Sequence, residues 1–135
     1  MPCLIDKSVL ARMEHARVRA RVAPIIEAGE AATCAIVDLE VLFSARNHDD
    51  HSRVRTRRKL AYRRIELTEA IFERAIEVQG LLARRGLHRL PIPDLVIAAA
   101  AESEGMAVLH YDADFDTIAG VTKQAAEWVA PRGTL

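Results

Sequence analysis

Four acidic residues stand where acids are otherwise unexpected. Asp6 follows the apolar run Cys3-Leu4-Ile5. Glu40 lies among Ile36, Val37, Leu39, Val41, Leu42 and Phe43. Asp94 opens the most apolar stretch of the chain. Asp112 follows a second apolar run, Met106 to Leu109, and Asp114 comes two residues later. Burying a carboxylate is costly unless it is paired or bound to a metal. Several together repel one another and hold on to protons unless a cation sits between them. An all-oxygen donor set without Cys or His suits Mg²⁺, with Mn²⁺ as a substitute. Each acid also has a plainer role: Asp6, Asp94 and Asp112 each suit a helix N-cap, and Glu40 could point outward. The joint pattern, acids at the ends of apolar strands and the starts of apolar helices, is what favours a metal centre.

Two other readings of Asp112-x-Asp114-x-Asp116 fit poorly. A calcium loop needs Gly at its sixth position and Glu at its twelfth, where this chain has Thr117 and Lys123. A phosphoaspartate motif belongs near the start of a domain. His48 and His51 are three apart, but no third ligand stands at a suitable spacing.

Basic charge is concentrated elsewhere. Residues 53 to 64 carry Arg53, Arg55, Arg57, Arg58, Lys59, Arg63 and Arg64 and no acid, whereas Leu90 to Thr122 holds acids and no Lys or Arg. A basic arm beside an acidic metal pocket suits an RNA backbone, with Arg53, Arg55, Arg57, Arg58 and Lys59 as phosphate contacts. A solvated helix face explains the run equally well. Arg84, Arg85 and Arg89 either extend that track or complement a helix C-terminus.

The elements that must position these residues follow from periodicity. Cys3-Leu4-Ile5 and Met106–Leu109 read as buried strands. A helix is expected from Ser8, with Val18, Val22, Ile25 and Ile26 on one face, a possible kink at Pro24 and a stop at Gly29. Thr33 to Val37 fits either a strand or a helix entry, and Leu39, Leu42 and Phe43 suggest a helix. Asp49 to Arg64 reads as a polar helix with an apolar edge at Val54 and Leu60. Thr68 is a suitable N-cap for a helix with Ile71, Phe72, Ala75, Val78, Leu81 and Leu82 on one face, ending at Gly86. Pro91 and Pro93 lead into a central helix, Leu95 to Ala101 and beyond, which Gly105 ends. A short helix with Phe115 and Ile118 inward and an edge strand at Glu127-Trp128-Val129 complete the chain. Alternating strands and helices predict an α/β fold, a short central parallel sheet flanked by helices. In such sheets the ligand crevice lies beyond the carboxyl ends of the strands, where Asp6 and Asp112 fall.

The 135 residues, without a long linker or repeat, suggest a single domain over 1–135. An apolar content of 50% excludes a disordered chain, and 4% aromatic residues argue against a base-stacking platform. Nineteen basic residues balance nineteen acidic ones, which excludes a uniformly basic coat. Cys3 and Cys34 fit no CxxC or zinc pattern and read as reduced core residues of a cytoplasmic protein. The first residues lack the features of a signal peptide, and Leu95–Ala101 is far too short to span a bilayer.

The chain resembles a PIN domain, specifically the VapC toxins of bacterial toxin–antitoxin pairs. The resemblance rests on Leu4-Ile5-Asp6-Lys7-Ser8-Val9-Leu10, Asp38-Leu39-Glu40, Pro91-Ile92-Pro93-Asp94-Leu95-Val96-Ile97-Ala98 and His110-Tyr111-Asp112-Ala113-Asp114-Phe115, in that order. It implies a PIN-like fold and a Mg²⁺-dependent endoribonuclease that leaves 5′-phosphate and 3′-hydroxyl ends, with tRNA or rRNA as expected targets. Asp6, Glu40, Asp94 and Asp112 match the family's catalytic, metal-holding acids. Asp114 matches a further ligand, and Ser8 a hydroxyl beside the metal. Lys7 and His110 depart from the Thr that the wider family often has. The resemblance also implies a homodimer and a VapB-type antitoxin, which could place an Arg among the acids. A housekeeping PIN nuclease and a catalytically inactive PIN scaffold that binds RNA or protein are the alternatives.

Overall fold

The computed structural model describes residues 1–135. In chain order its elements are β1 (Cys3–Ile5), α1 (Lys7–Leu10), α2 (Ala16–Glu27), β2 (Ala31–Cys34), α3 (Ala35–Leu42), α4 (His48–Ala61), β3 (Arg63–Ile65), α5 (Glu69–Ala83), α6 (Ile92–Ser103), β4 (Ala107–His110), α7 (Asp114–Thr122) and β5 (Ala126–Trp128). The strands form one sheet in the order β3-β2-β1-β4-β5, and every pairing is parallel. The expected α/β fold with a short central parallel sheet is therefore the one observed.

The three central strands, β1, β2 and β4, are buried on both faces, as the middle of an α/β sheet should be, while the edge strands β3 and β5 are largely open. Side chains alternate between two cores. Leu4, Ala32 and Val108 enter a core shared with α3, α5, α6 and α7. Cys3, Ile5, Ala31 and Leu109 enter a smaller one closed by Val9, Val18 and Val22. Helix α6 is central: Leu95 to Ala101 are all buried. Its alanines let it approach the sheet closely. Gly105, at φ 66°, makes the left-handed turn from α6 into β4. Both cysteines are buried and unpaired. No helix is long and apolar enough to cross a membrane.

The structure corrects the local expectations at three places. The helix expected from Ser8 is two helices, with a break between Leu10 and Ala16 that no Gly or Pro announces. Pro24 lies inside α2 without ending it. Pro24 and Ala20 are both exposed, so the carbonyl that loses its donor is on the solvent side. The polar helix ends at Ala61 rather than Arg64, because Arg63 and Arg64 belong to β3, paired with Ala32 and Thr33 of β2. Nor is its apolar edge where periodicity put it. Leu60 is 85% exposed, and the fully inward residue is Arg58.

Thr68 caps α5 as expected, its hydroxyl accepting the Ile71 N–H at 3.3 Å. Ile71, Ala75, Val78 and Leu82 form the buried face, while Phe72 remains partly exposed. The segment from Thr33 to Val37, left open by the sequence, divides between β2 and α3.

Candidate metal centre

Because all strands run the same way, their carboxyl ends share one edge of the sheet. Asp6 is the first residue beyond β1 and the N-cap of α1. Its Oδ2 accepts the Ser8 N–H at 3.0 Å, and its own N–H donates to the Leu109 carbonyl at 3.0 Å. That second bond ties the end of β1 to β4. The Ser8 hydroxyl oxygen accepts the Tyr111 N–H at 2.9 Å, so Ser8 fastens α1 to the segment following β4. Asp112 and Asp114 lie on that segment. The Asp114 N–H donates to Asp112 Oδ1 at 2.9 Å, and the Phe115 N–H to the Asp112 carbonyl at 3.2 Å. Asp94 enters from the first turn of α6, held by its N–H to the Pro91 carbonyl at 3.1 Å.

Asp94, Asp112 and Asp114 each offer a carboxylate oxygen within 4.8 Å of the others. Asp6 and Glu40 are not in this tight trio but act on it electrostatically. The Asp94 carboxyl is pushed up to about 8, first by burial and then by Asp6, Asp112, Asp114 and Glu40. Burial and Asp6 push Glu40 upward, and Asp112 adds to this against the opposing charge of Lys7. Asp114 is raised by burial and by Asp112. Asp94 Oδ2 and Glu40 Oε1 are buried and have no hydrogen-bond partner.

That combination fits a hard divalent cation. The donors are all oxygen, the carboxyls raise one another's pKa, and two acceptor atoms are buried without a donor. Neither His48 nor His51 belongs to such a cluster; the acidic trio is the only group of three or more metal-ligand side chains in the fold.

Two of the five basic residues expected to contact RNA have other partners. Arg58 is 7% exposed, with Nε 2.9 Å from Asp38 Oδ1 and Nη2 2.9 Å from the Thr33 hydroxyl. Its guanidinium also lies over the Tyr62 ring at 4.5 Å. It is a buried clamp between α4 and α3, so its assignment to an exposed phosphate track is corrected. The sequence hid this because Asp38 is twenty positions away. Arg53 is exposed but pairs with Asp50 at 2.7 Å. Arg55, Arg57 and Lys59 are exposed and make no ion pair. Between α3 and α4 runs a groove of about 380 Å³, lined among others by Leu39, Leu42, Arg55, Lys59 and Tyr62. Leu39, in its wall, is strongly exposed, as is Phe43, which follows α3.

Residues 3–121 match the PIN domain family. The chain is 47% identical over 132 residues to ribonuclease VapC51 of Mycobacterium tuberculosis, covering 98% of this chain and 96% of that protein. It is 44% identical to ribonuclease VapC21 of the same species, covering 97% and 96%. Among solved structures, VapBC-1 from nontypeable Haemophilus influenzae superposes with a TM-score of 0.76 at 15% identity, covering 96% of this chain and 98% of that one. VapBC2 from Rickettsia felis, bound to a promoter DNA fragment, gives 0.76 at 14% identity, with coverage of 95% and 98%. The chain therefore belongs to the PIN-domain family, within its VapC ribonuclease group.

Proposed function

We propose that the protein is a Mg²⁺-dependent endoribonuclease, the toxin of a toxin–antitoxin pair, cutting structured RNA such as tRNA or rRNA. The observation that carries this reading is the buried Asp94, one oxygen unpartnered, within 4.8 Å of Asp112 and Asp114. The ribonuclease names of relatives at 44–47% identity support the same reading.

In this reading Asp94, Asp112 and Asp114 hold the metal, with Asp6 and Glu40 as the further acids of the site. Held by these acids, a Mg²⁺ ion would supply an activated water and charge stabilisation for attack on a phosphodiester, with 5′-phosphate and 3′-hydroxyl ends as the expected products. The chain's own side chains do the positioning. Asp6 anchors β1 to β4, and Ser8 holds the turn that carries Asp112. Arg55, Arg57 and Lys59 attract the RNA backbone without reading bases.

The partner in this reading is a small VapB-type antitoxin, and the toxin is a homodimer. The α3–α4 groove, with Leu39 and Leu42 in its wall, offers an apolar bed for an antitoxin segment. The deciding experiment is cleavage of end-labelled total tRNA and rRNA by antitoxin-free protein, with Mg²⁺ or EDTA, beside Asp94→Asn. Discrete cuts only with Mg²⁺ and wild-type protein are expected. Cuts surviving EDTA and the substitution would remove the acidic centre from the mechanism.

A further inference from the structure

His110, the last residue of β4, is completely buried. Its Nδ1 accepts the Asp112 N–H at 3.2 Å. An accepting Nδ1 carries no proton, so the proton of the neutral ring is on Nε2. Nε2 faces Asp116 Oδ1 at 3.8 Å, beyond hydrogen-bond distance, and is left without a partner. The other Asp116 oxygen is taken by the Trp128 Nε1–H at 2.9 Å. The ring packs between Phe115 and Trp128, with centroids 5.2 and 5.0 Å away.

We propose that His110 is a positioning residue for the metal centre: its Nδ1 holds the Asp112 N–H and thereby sets the turn that presents Asp112 and Asp114 to Asp94. The geometry forms a short relay. His110 fixes the Asp112 backbone, and Asp112 Oδ1 fixes the Asp114 N–H. The two carboxylates are thus oriented through main-chain bonds that start at one imidazole. Packing alone does not account for this ring. An apolar side chain would fill the aromatic cage without leaving a buried donor unpaired, so the polar ring carries a stability cost that its acceptor atom offsets. Groups that orient ligands commonly change metal affinity without touching the metal.

The proposal rests on the metal reading above, and the test separates the two. Mg²⁺ binding to the purified chain is measured by calorimetry for wild type, His110→Leu, His110→Asn and His110→Gln. Asn places an amide oxygen near the Nδ1 position, whereas Gln places its polar group near Nε2. Leu and Gln are expected to weaken Mg²⁺ binding by about 10–100-fold and Asn by no more than about threefold. Should His110→Leu fail to fold, the Asn–Gln pair gives the same contrast. A second readout needs no metal: the ¹⁵N resonances of the ring are expected to report the Nε2–H tautomer. A folded His110→Leu with wild-type affinity, equal affinities for Asn and Gln, or an Nδ1–H tautomer would each overturn the proposal and leave the metal reading standing. Wild-type protein that binds no Mg²⁺ would overturn both.

Discussion

Asp38 and Glu40 stand two residues apart on α3 and have opposite surroundings. Asp38 is enclosed by Arg58 at 2.9 Å and Arg64 at 2.8 Å, and the Thr33 hydroxyl lies 3.1 Å from Oδ1. Glu40 has a buried oxygen with no partner and is pressed upward in pKa by burial and by Asp6. A helix turns about 100° per residue, so positions two apart face opposite sides. One side of α3 meets cations from α4 and β3. The other meets the acids that end β1 and β4. A carboxylate that serves the fold has its counter-charge within the chain, whereas one awaiting a ligand leaves the counter-charge to come from outside.

Substitutions should separate these two sides sharply. Asp94→Asn is expected to lower RNA cleavage by roughly 10³-fold or more, measured on labelled substrate. The same change should raise the melting temperature of metal-free protein at neutral pH, since it removes a carboxyl that has to take up a proton when the chain folds. Asp38→Ala should instead cost about 3 kcal/mol in chemical denaturation, because it leaves the buried Arg58 without its carboxylate. If Asp38→Ala proves neutral, the contrast fails on its structural side.

The pH response sharpens the comparison further. Folded Asp94 keeps its proton up to about pH 8, whereas its ordinary value is 3.8. Glu40 and Asp114 are shifted the same way. The folded, metal-free chain therefore binds more protons than the unfolded chain in this window. These groups make stability fall as pH rises from about 4 to 8. Urea midpoints of EDTA-treated protein at pH 5 and pH 8 measure the slope, and Asp94→Asn should flatten it. The smallest effect is expected on the exposed basic face. Replacing Arg55, Arg57 and Lys59 together with Ala should weaken RNA binding at low salt by about tenfold and reduce its salt dependence. Stability should change by no more than about 0.5 kcal/mol per site. Unchanged binding would move the RNA track elsewhere.

The acids were legible because each interrupts an apolar pattern. Asp6 after Leu4-Ile5 and Asp94 before Leu95 announce both an element boundary and a carboxylate at that boundary. Strand β3 was not legible, since only Ile65 of its residues is buried and its arginines continue the basic run of α4. Arg58 was misassigned for a related reason. Helical periodicity ranks Leu60 as the inward residue, but the half-buried carboxylate of Asp38 opposite the helix reverses that ranking, and nothing local in the sequence displays it. His110 could be noted only as an unusual residue type. Its partner is the main chain of Asp112, and main-chain contacts leave no trace in composition.

The pairing of β1 with β4, Cys3 against Ala107, joins the beginning of the chain to a segment made near its end. Asp6 and Asp112 meet only through that pairing. A nascent chain that has already folded its first helices still lacks two members of the trio until the residues after β4 emerge. The order of synthesis thus acts as a delay: a growing chain that stops short of Asp114 has no complete set of acids, however much of it has already folded.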